Sequence, residues 1–192
     1  MHIRRHFRFL RRIVGSNVRR LSFPYKLTFA VTYRCNSRCR TCSIWQKPAG
    51  DELRTDEIRK FFEKSRDFSW IDLTGGEIFL RDDCVEIARA AIEQCRDLCL
   101  LHFPTNGLLT DRIVSGVRRI LELGPPRLII TVSVDGDEEL NDTIRGVPGG
   151  WRRQIATFKA LRALRGVQTV LGMTLSPFNY DKYEATFAAV RA

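Results

Sequence analysis

The sequence predicts an α/β domain, a parallel sheet of five strands curled into a partial (β/α) barrel with its helices outside. Three observations lead there. Apolar runs of strand length alternate with stretches of helical periodicity, five times in strict order. Right-handed crossovers between such units curl the sheet in one sense. The unusual loops, one holding three cysteines and three holding glycine, all follow strands. They therefore meet at the carboxyl rim, where barrels of this kind carry their chemistry.

The first 26 residues form a basic arm, and residues 27–192 form the core. The arm carries Arg4, Arg5, Arg8, Arg11, Arg12, Arg19, Arg20 and Lys26 and no acid, within a chain of net charge +10. Ile3, Phe7, Leu10 and Val14 recur there at helical spacing. Such a helix suits an anionic membrane or partner surface, or nucleic-acid phosphates, or it simply plugs one end of the domain. Arginines interrupt every candidate apolar core, which argues against a signal peptide.

The first strand, about 27–32, feeds the cysteine loop. Thr55 is placed to cap a helix whose inner face is Ile58, Phe61 and Phe62. The second strand, Trp70 to Thr74, ends in Gly75-Gly76-Glu77. Asp82 or Asp83 caps the next helix, which turns Ala88, Ala91, Ile92 and Cys95 inward. The third strand, Leu98 to Phe103, ends at Pro104-Thr105-Asn106-Gly107. A helix from about Asp111 follows, stopped by Gly124-Pro125-Pro126. The fourth strand, Arg127 to Val134, ends in Asp135-Gly136. A loop through Ile144-Arg145-Gly146 then leads to a helix with Trp151, Ile155, Phe158, Leu161 and Leu164 as its stripe. The fifth strand runs from Val167 to Leu175, and the last helix from about Asp181. Strand five is left as an apolar edge, an aggregation hazard that points to a truncated chain.

Composition narrows the chemistry. With 192 residues, 44% of them hydrophobic, the chain suits one globular domain with a real core. Its six cysteines sit in a chain too long for a stapled mini-domain. With no secretory signal before them, they suggest a reducing cytoplasm. No run of 18 apolar residues spans a membrane.

Cys35, Cys39 and Cys42 are spaced C-x3-C-x2-C on one tight loop. Three thiolates so placed hold three irons of a cubane iron–sulfur cluster and leave the fourth open to a small molecule. A zinc site needs a further ligand, and His2 and His6 are the only His, Asp or Glu residues before Gly50. Cys84, Cys95 and Cys99 read as small buried apolar residues, and His102 as a hydrogen-bonded core histidine.

The three-cysteine loop after a first strand resembles the cluster loop of the radical S-adenosylmethionine (SAM) superfamily. The resemblance implies a [4Fe-4S] cluster and SAM as cofactors. It implies a partial barrel of the radical SAM type, with five of the family's six strands present. In that family SAM chelates the open iron through its amino and carboxylate groups, and its reductive cleavage yields a 5′-deoxyadenosyl radical. Gly75-Gly76-Glu77 resembles the segment that binds the SAM amino group, with Ile78 where the family has proline. Ser133 and Asp135 resemble strand-four contacts to ribose or carboxylate, and Arg145 resembles an arginine near the SAM carboxylate. Asn106 faces the same cavity or makes an Asn-Gly turn. Trp45 stands in for an aromatic residue that Thr41 replaces. Val170 and Gly172 partly match a loose pattern of adenine contacts, and Met173 either touches the nucleoside or packs as a core methionine.

The cysteine loop followed by tryptophan resembles the branch holding molybdenum-cofactor biosynthesis and SPASM-type peptide-maturation enzymes. The family implies a low-potential electron donor, a flavodoxin or ferredoxin, and a substrate that is a small molecule or a peptide. Two other classes stay open on the sequence. One is a non-enzymatic metal-binding module with a basic arm, and the other is an inactive fragment.

Overall fold

The computed structural model describes residues 2–48 and 50–191. Five strands form one wholly parallel sheet in chain order. They are β1 (Lys26–Thr32), β2 (Trp70–Gly75), β3 (Leu100–Thr105), β4 (Leu128–Ser133) and β5 (Val167–Gly172). Helix α1 (His2–Val18) precedes them. Helices α2 (Thr55–Lys64), α3 (Cys84–Gln94), α4 (Thr110–Glu122) and α6 (Gly150–Arg162) are the crossovers, and α7 (Tyr183–Arg191) follows β5.

The period of two decides the layers. Ile71, Leu73, Leu101, Phe103, Leu128, Ile130 and Val132 are buried on the outer face. They join Ile58, Phe62, Ile87, Ile113, Val117, Ile120 and Leu161 of the crossover helices in one core. Phe29, Phe61 and Phe62 pack their rings edge-on or tilted, and Phe61 stacks on Phe68, at the β1 end of it. The inner face is polar. Asp72 accepts hydrogen bonds from Trp70 Nε1 at 2.6 Å and Thr28 Oγ1 at 3.2 Å, and lies 3.0 Å from the Lys26 ammonium. His102 bridges Asp72, at 2.9 Å, to the Thr131 hydroxyl, at 2.8 Å. His102 is thus a hydrogen-bonded histidine, and Cys84, Cys95 and Cys99 are buried.

Several expected boundaries move. Residues 138–145, read as loop, form a helix, α5 (Glu138–Arg145). Its signals are local. The Asp137 carboxylate accepts from Leu140 N, two acids fill the first turn, and Gly146 closes the helix at φ 63°. Strand β3 starts two residues later than expected and takes in Pro104. Its ladder with β2 stops at Asp72 and His102, so Pro104 lies where β3 is paired on one side only.

Thr55 is not a cap. Arg54 holds that position, its N–H donating to the Glu57 carboxylate at 2.9 Å, while the Thr55 hydroxyl donates to Asp83. Asp83 stands at the cap position of α3, but its carboxylate serves Arg81 and Thr55 instead of the helix. Strand β5 stops at Gly172, because Asn179 draws residues 174–179 into a turn by bonding Thr174 O and Ser176 N.

Helix α1 crosses the amino ends of the strands, as a plug would. Phe9 and Arg12 face the body, but Phe7, Leu10 and Val14 face out. The side chains of Ile3 and Arg4 lie outside the described residues.

Candidate cofactor site

At the opposite, carboxyl end the loops converge on one pocket of about 240 Å³. Its wall includes Cys35, Cys39 and Cys42, together with Gly75, Gly76, Asn106, Ser133, Asp135 and Arg145. Trp45 and Thr41 also line it. The structure therefore brings the three cysteines together with Gly75, Gly76, Asn106, Ser133, Asp135 and Arg145, and leaves Glu77 and the strand-five residues Val170, Gly172 and Met173 off that wall.

The cysteine loop is held from two sides by backbone bonds. Gly76 N donates to Thr32 O at 2.9 Å and Glu77 N to Arg34 O at 2.8 Å. Arg38 N donates to Arg145 O at 3.0 Å and Arg40 N to Ile144 O at 2.8 Å. The loop thus lies between the end of β2 and the carboxyl terminus of α5. Glycine is required at the first seam, where a Cβ on Gly76 would stand 2.2 Å from the Arg34 carbonyl oxygen. The two glycines therefore admit the cysteine loop, and not only a ligand.

Glu77 is fully buried and turned away from the pocket. Its carboxylate accepts from Phe79 N, Thr105 Oγ1 and Asn106 N, at 3.2, 2.9 and 2.7 Å. Burial pushes its carboxyl up, and these three bonds and the Arg145 charge oppose the rise. It ties the β2 turn to the end of β3.

Arg145 and Asp135 form a buried ion pair at 2.9 Å, and Asp135 Oδ1 also accepts from Thr174 N at 3.0 Å. Behind them runs a network with little signature in the sequence. Asn141 Oδ1 accepts from Asp135 N, Asn141 Nδ2 donates to Gln154 Oε1, and Gln154 Nε2 donates to Asn106 O. Asn141 and Gln154 are wholly buried, so the chain of amides fixes the β3 and β4 loops against α5 and α6. Gln154 within the apolar stripe of α6 was its one visible sign.

Not every expected contact joins the site. Met173 and Val170 line a separate cavity beside α7, whereas Thr174, not singled out from the sequence, lines the pocket. Gly172 packs on Thr131, where a Cβ would come within 2.6 Å of its methyl.

The donor set bears on which metal fits. Among the described residues, no three His, Cys, Asp or Glu side chains gather closely enough to hold a metal ion. The three thiols line one pocket, with no His, Asp or Glu beside them on their own loop as a fourth zinc ligand. Burial pushes the Cys35 and Cys39 thiols up, so a metal's charge is needed to displace their protons. Two buried polar atoms in the pocket residues, Ser37 Oγ and Arg145 Nε, have no protein partner. Unpartnered donors at such a wall fit sulfide or ligand oxygens.

The family model described as Radical SAM superfamily matches residues 29–190. The chain belongs to the radical SAM superfamily. That family uses a [4Fe-4S] cluster and SAM. This radical SAM chain is 34% identical over 171 residues to the AdoMet-dependent heme synthase of Methanosarcina barkeri, covering 85% of this chain and 46% of that protein. It is 29% identical over 154 residues to the subtilosin biosynthesis protein AlbA of Bacillus subtilis, covering 77% and 32%. In fold it is similar to SuiB of Streptococcus suis bound to the precursor peptide SuiA. That match has TM-score 0.70 at 16% identity, over 95% of this chain and 39% of the other. The chain thus spans less than half the length of each of these proteins.

Proposed function

We propose that this radical SAM domain binds a [4Fe-4S] cluster through Cys35, Cys39 and Cys42 and cleaves SAM reductively, for hydrogen abstraction from a substrate at the barrel mouth. The observation that carries the reading is the convergence of three thiols, a Gly-Gly turn and a buried Asp–Arg pair on one pocket. When bound, the cluster would relay an electron received from a donor and present an open iron site, which is chemistry the polypeptide lacks.

The protein's part is to bind and to orient. Gly75 and Gly76 bring backbone to the pocket wall, where carbonyl oxygens suit an ammonium. Ser133 and Asn106 offer polar contacts to the nucleoside or amino-acid part. Arg145, fixed by Asp135, turns its unpartnered Nε toward a carboxylate. Glu77 acts as a positioning residue through Thr105 and Asn106. An external low-potential donor, a flavodoxin or ferredoxin, supplies the electron in a cytoplasmic setting. The substrate is a peptide or a small molecule. The resemblance to AlbA and SuiB supports a peptide, and that to the heme synthase supports a small molecule.

Anaerobic reconstitution with iron and sulfide tests this. The expected result is about four irons and four sulfides per chain, a brown chromophore, and 5′-deoxyadenosine on adding SAM and a reductant. Cys39→Ala should lose both iron and product. Zinc in the purified chain with no SAM cleavage would instead identify a metal-binding module, and failure to hold any cluster an inert fragment.

A further inference from the structure

Helix α1 lies outside the matched family region and takes no part in the cofactor site. It has two opposite faces. The body-facing side carries Phe9, whose ring meets Tyr25 edge-on at 5.9 Å. It also carries Arg12, which donates to Asp67 O and Ser69 Oγ. Arg8 pins the same helix to Asp97 at 2.6 Å. The outward side carries Phe7, Leu10, Val14 and Val18, respectively 64, 58, 65 and 80% exposed. These are large apolar side chains at helical spacing, and with Gly15, Arg11 and Arg19 they line one shallow groove. A lone exposed leucine needs no explanation, but a continuous stripe of four does.

We propose that this face docks on an anionic lipid bilayer, with α1 lying in the interface plane. Charge complementarity selects the occupant. Residues 1–26 hold eight Lys and Arg and no acid. Arg8, Arg12 and Lys26 are paired with Asp97 and Asp72, and the cations lining the stripe are Arg11 and Arg19. A bilayer with anionic headgroups offers negative charge at its surface and apolar depth directly beneath, the pattern of an interfacial amphipathic helix. A second copy would bring its own Arg11 and Arg19 against these. Among the described residues no helix is long and apolar enough to cross a membrane, so the contact is with the surface.

The geometry permits it without blocking the proposed chemistry. Arg8, Arg12 and Phe9 fasten the helix beside Asp97, Ser69 and Tyr25, all just before strands. The cysteine pocket lies at the other ends of those strands and would face away from the lipid.

Sedimentation of the whole chain with vesicles tests the proposal. Phosphatidylcholine vesicles containing phosphatidylglycerol should pull the chain down at low salt, and raising the salt should release it. Pure phosphatidylcholine vesicles should not bind it. Leu10→Ser with Val14→Ser should weaken binding about tenfold or more. Arg11→Glu with Arg19→Glu should weaken it on anionic vesicles by a similar factor. All four side chains are exposed, so thermal unfolding should match that of the parent chain and exclude misfolding. Absence of binding, binding unchanged by the apolar pair, or equal binding to neutral vesicles would overturn it. A concentration-dependent dimer abolished by the apolar pair would overturn it too, assigning the face to a second copy.

Discussion

Two residues of the pocket repay attention at the level of single side chains. Arg145 and Asp135 are both buried and meet at 2.9 Å. Removing one partner of such a pair leaves a charge with neither water nor counter-ion, at a cost of about 3–5 kcal/mol. Arg145→Met should therefore lower the urea midpoint of the cluster-free chain strongly. Arg145→Lys should restore only part, since a lysine cannot reproduce the fork of a guanidinium. Glu77 gives a second prediction. Its carboxylate accepts three hydrogen bonds, and a glutamine amide must point a donor at another donor. Glu77→Gln should cost about 1–3 kcal/mol in the cluster-free chain, measured by denaturant unfolding. A residue acting only as a ligand contact would show no such loss before SAM is added. The sequence made both residues visible but not their orientation. Motif spacing places Glu77 at the end of β2, yet the direction of its side chain depends on Thr105 and Asn106, 28 and 29 residues away.

Between elements, the seam that matters joins the cysteine loop to the ends of β2 and α5. Gly76 admits no side chain there without moving the Arg34 carbonyl. Gly76→Ala should leave far-UV circular dichroism nearly unchanged while cutting the iron retained after reconstitution, read by iron analysis. Equal iron content in the variant would show that the seam does not position the thiols. The alternation of strands and helices was legible because it is local. Period-two burial on β4, with Leu128, Ile130 and Val132 inside and Thr131 and Ser133 toward the inner face, follows directly from the order of side chains. Helix α5 was missed although Asp137, Glu138, Glu139 and Gly146 mark its ends, because it is only eight residues long and shares its loop with the Asp-Gly turn. Its carboxyl terminus turns out to hold the cysteine loop, a long-range contact that no periodicity encodes. The Asn141–Gln154–Asn106 chain escaped for the same reason, since buried amides at helical spacing resemble ordinary polar positions.

Across the whole molecule, the inner face of the sheet gives stability a pH dependence. Burial alone would raise the carboxyl of Asp72, but hydrogen bonds from His102, Lys26 and Trp70 outweigh it and hold it at about 2. The Asp83 carboxyl is likewise held at about 2, first by Arg81, whose guanidinium also reaches Val31 O and Leu53 O across the β1 end. A carboxyl lower in the folded chain than in the unfolded one favours folding above the unfolded value. That contribution is lost as pH falls through the folded value. The window therefore runs from about pH 4, where free aspartates protonate, down to about 2. For Asp72 the shift corresponds to about 2 kcal/mol at neutral pH. Glu77 works in the opposite sense. Burial raises its carboxyl, so the cost of keeping it ionised in the fold grows as pH rises, and the three donors offset part of that cost. Asp72→Asn separates the two. It should lower the urea midpoint at pH 7 and flatten the acid limb between about pH 4 and 2, leaving the share due to Asp83. The indole of Trp70 donates to Asp72, so its fluorescence should report the change directly. If the variant keeps the parent's full acid limb, the inner-face cluster does not link β1, β2, β3 and β4 energetically, and the acid sensitivity lies elsewhere in the chain.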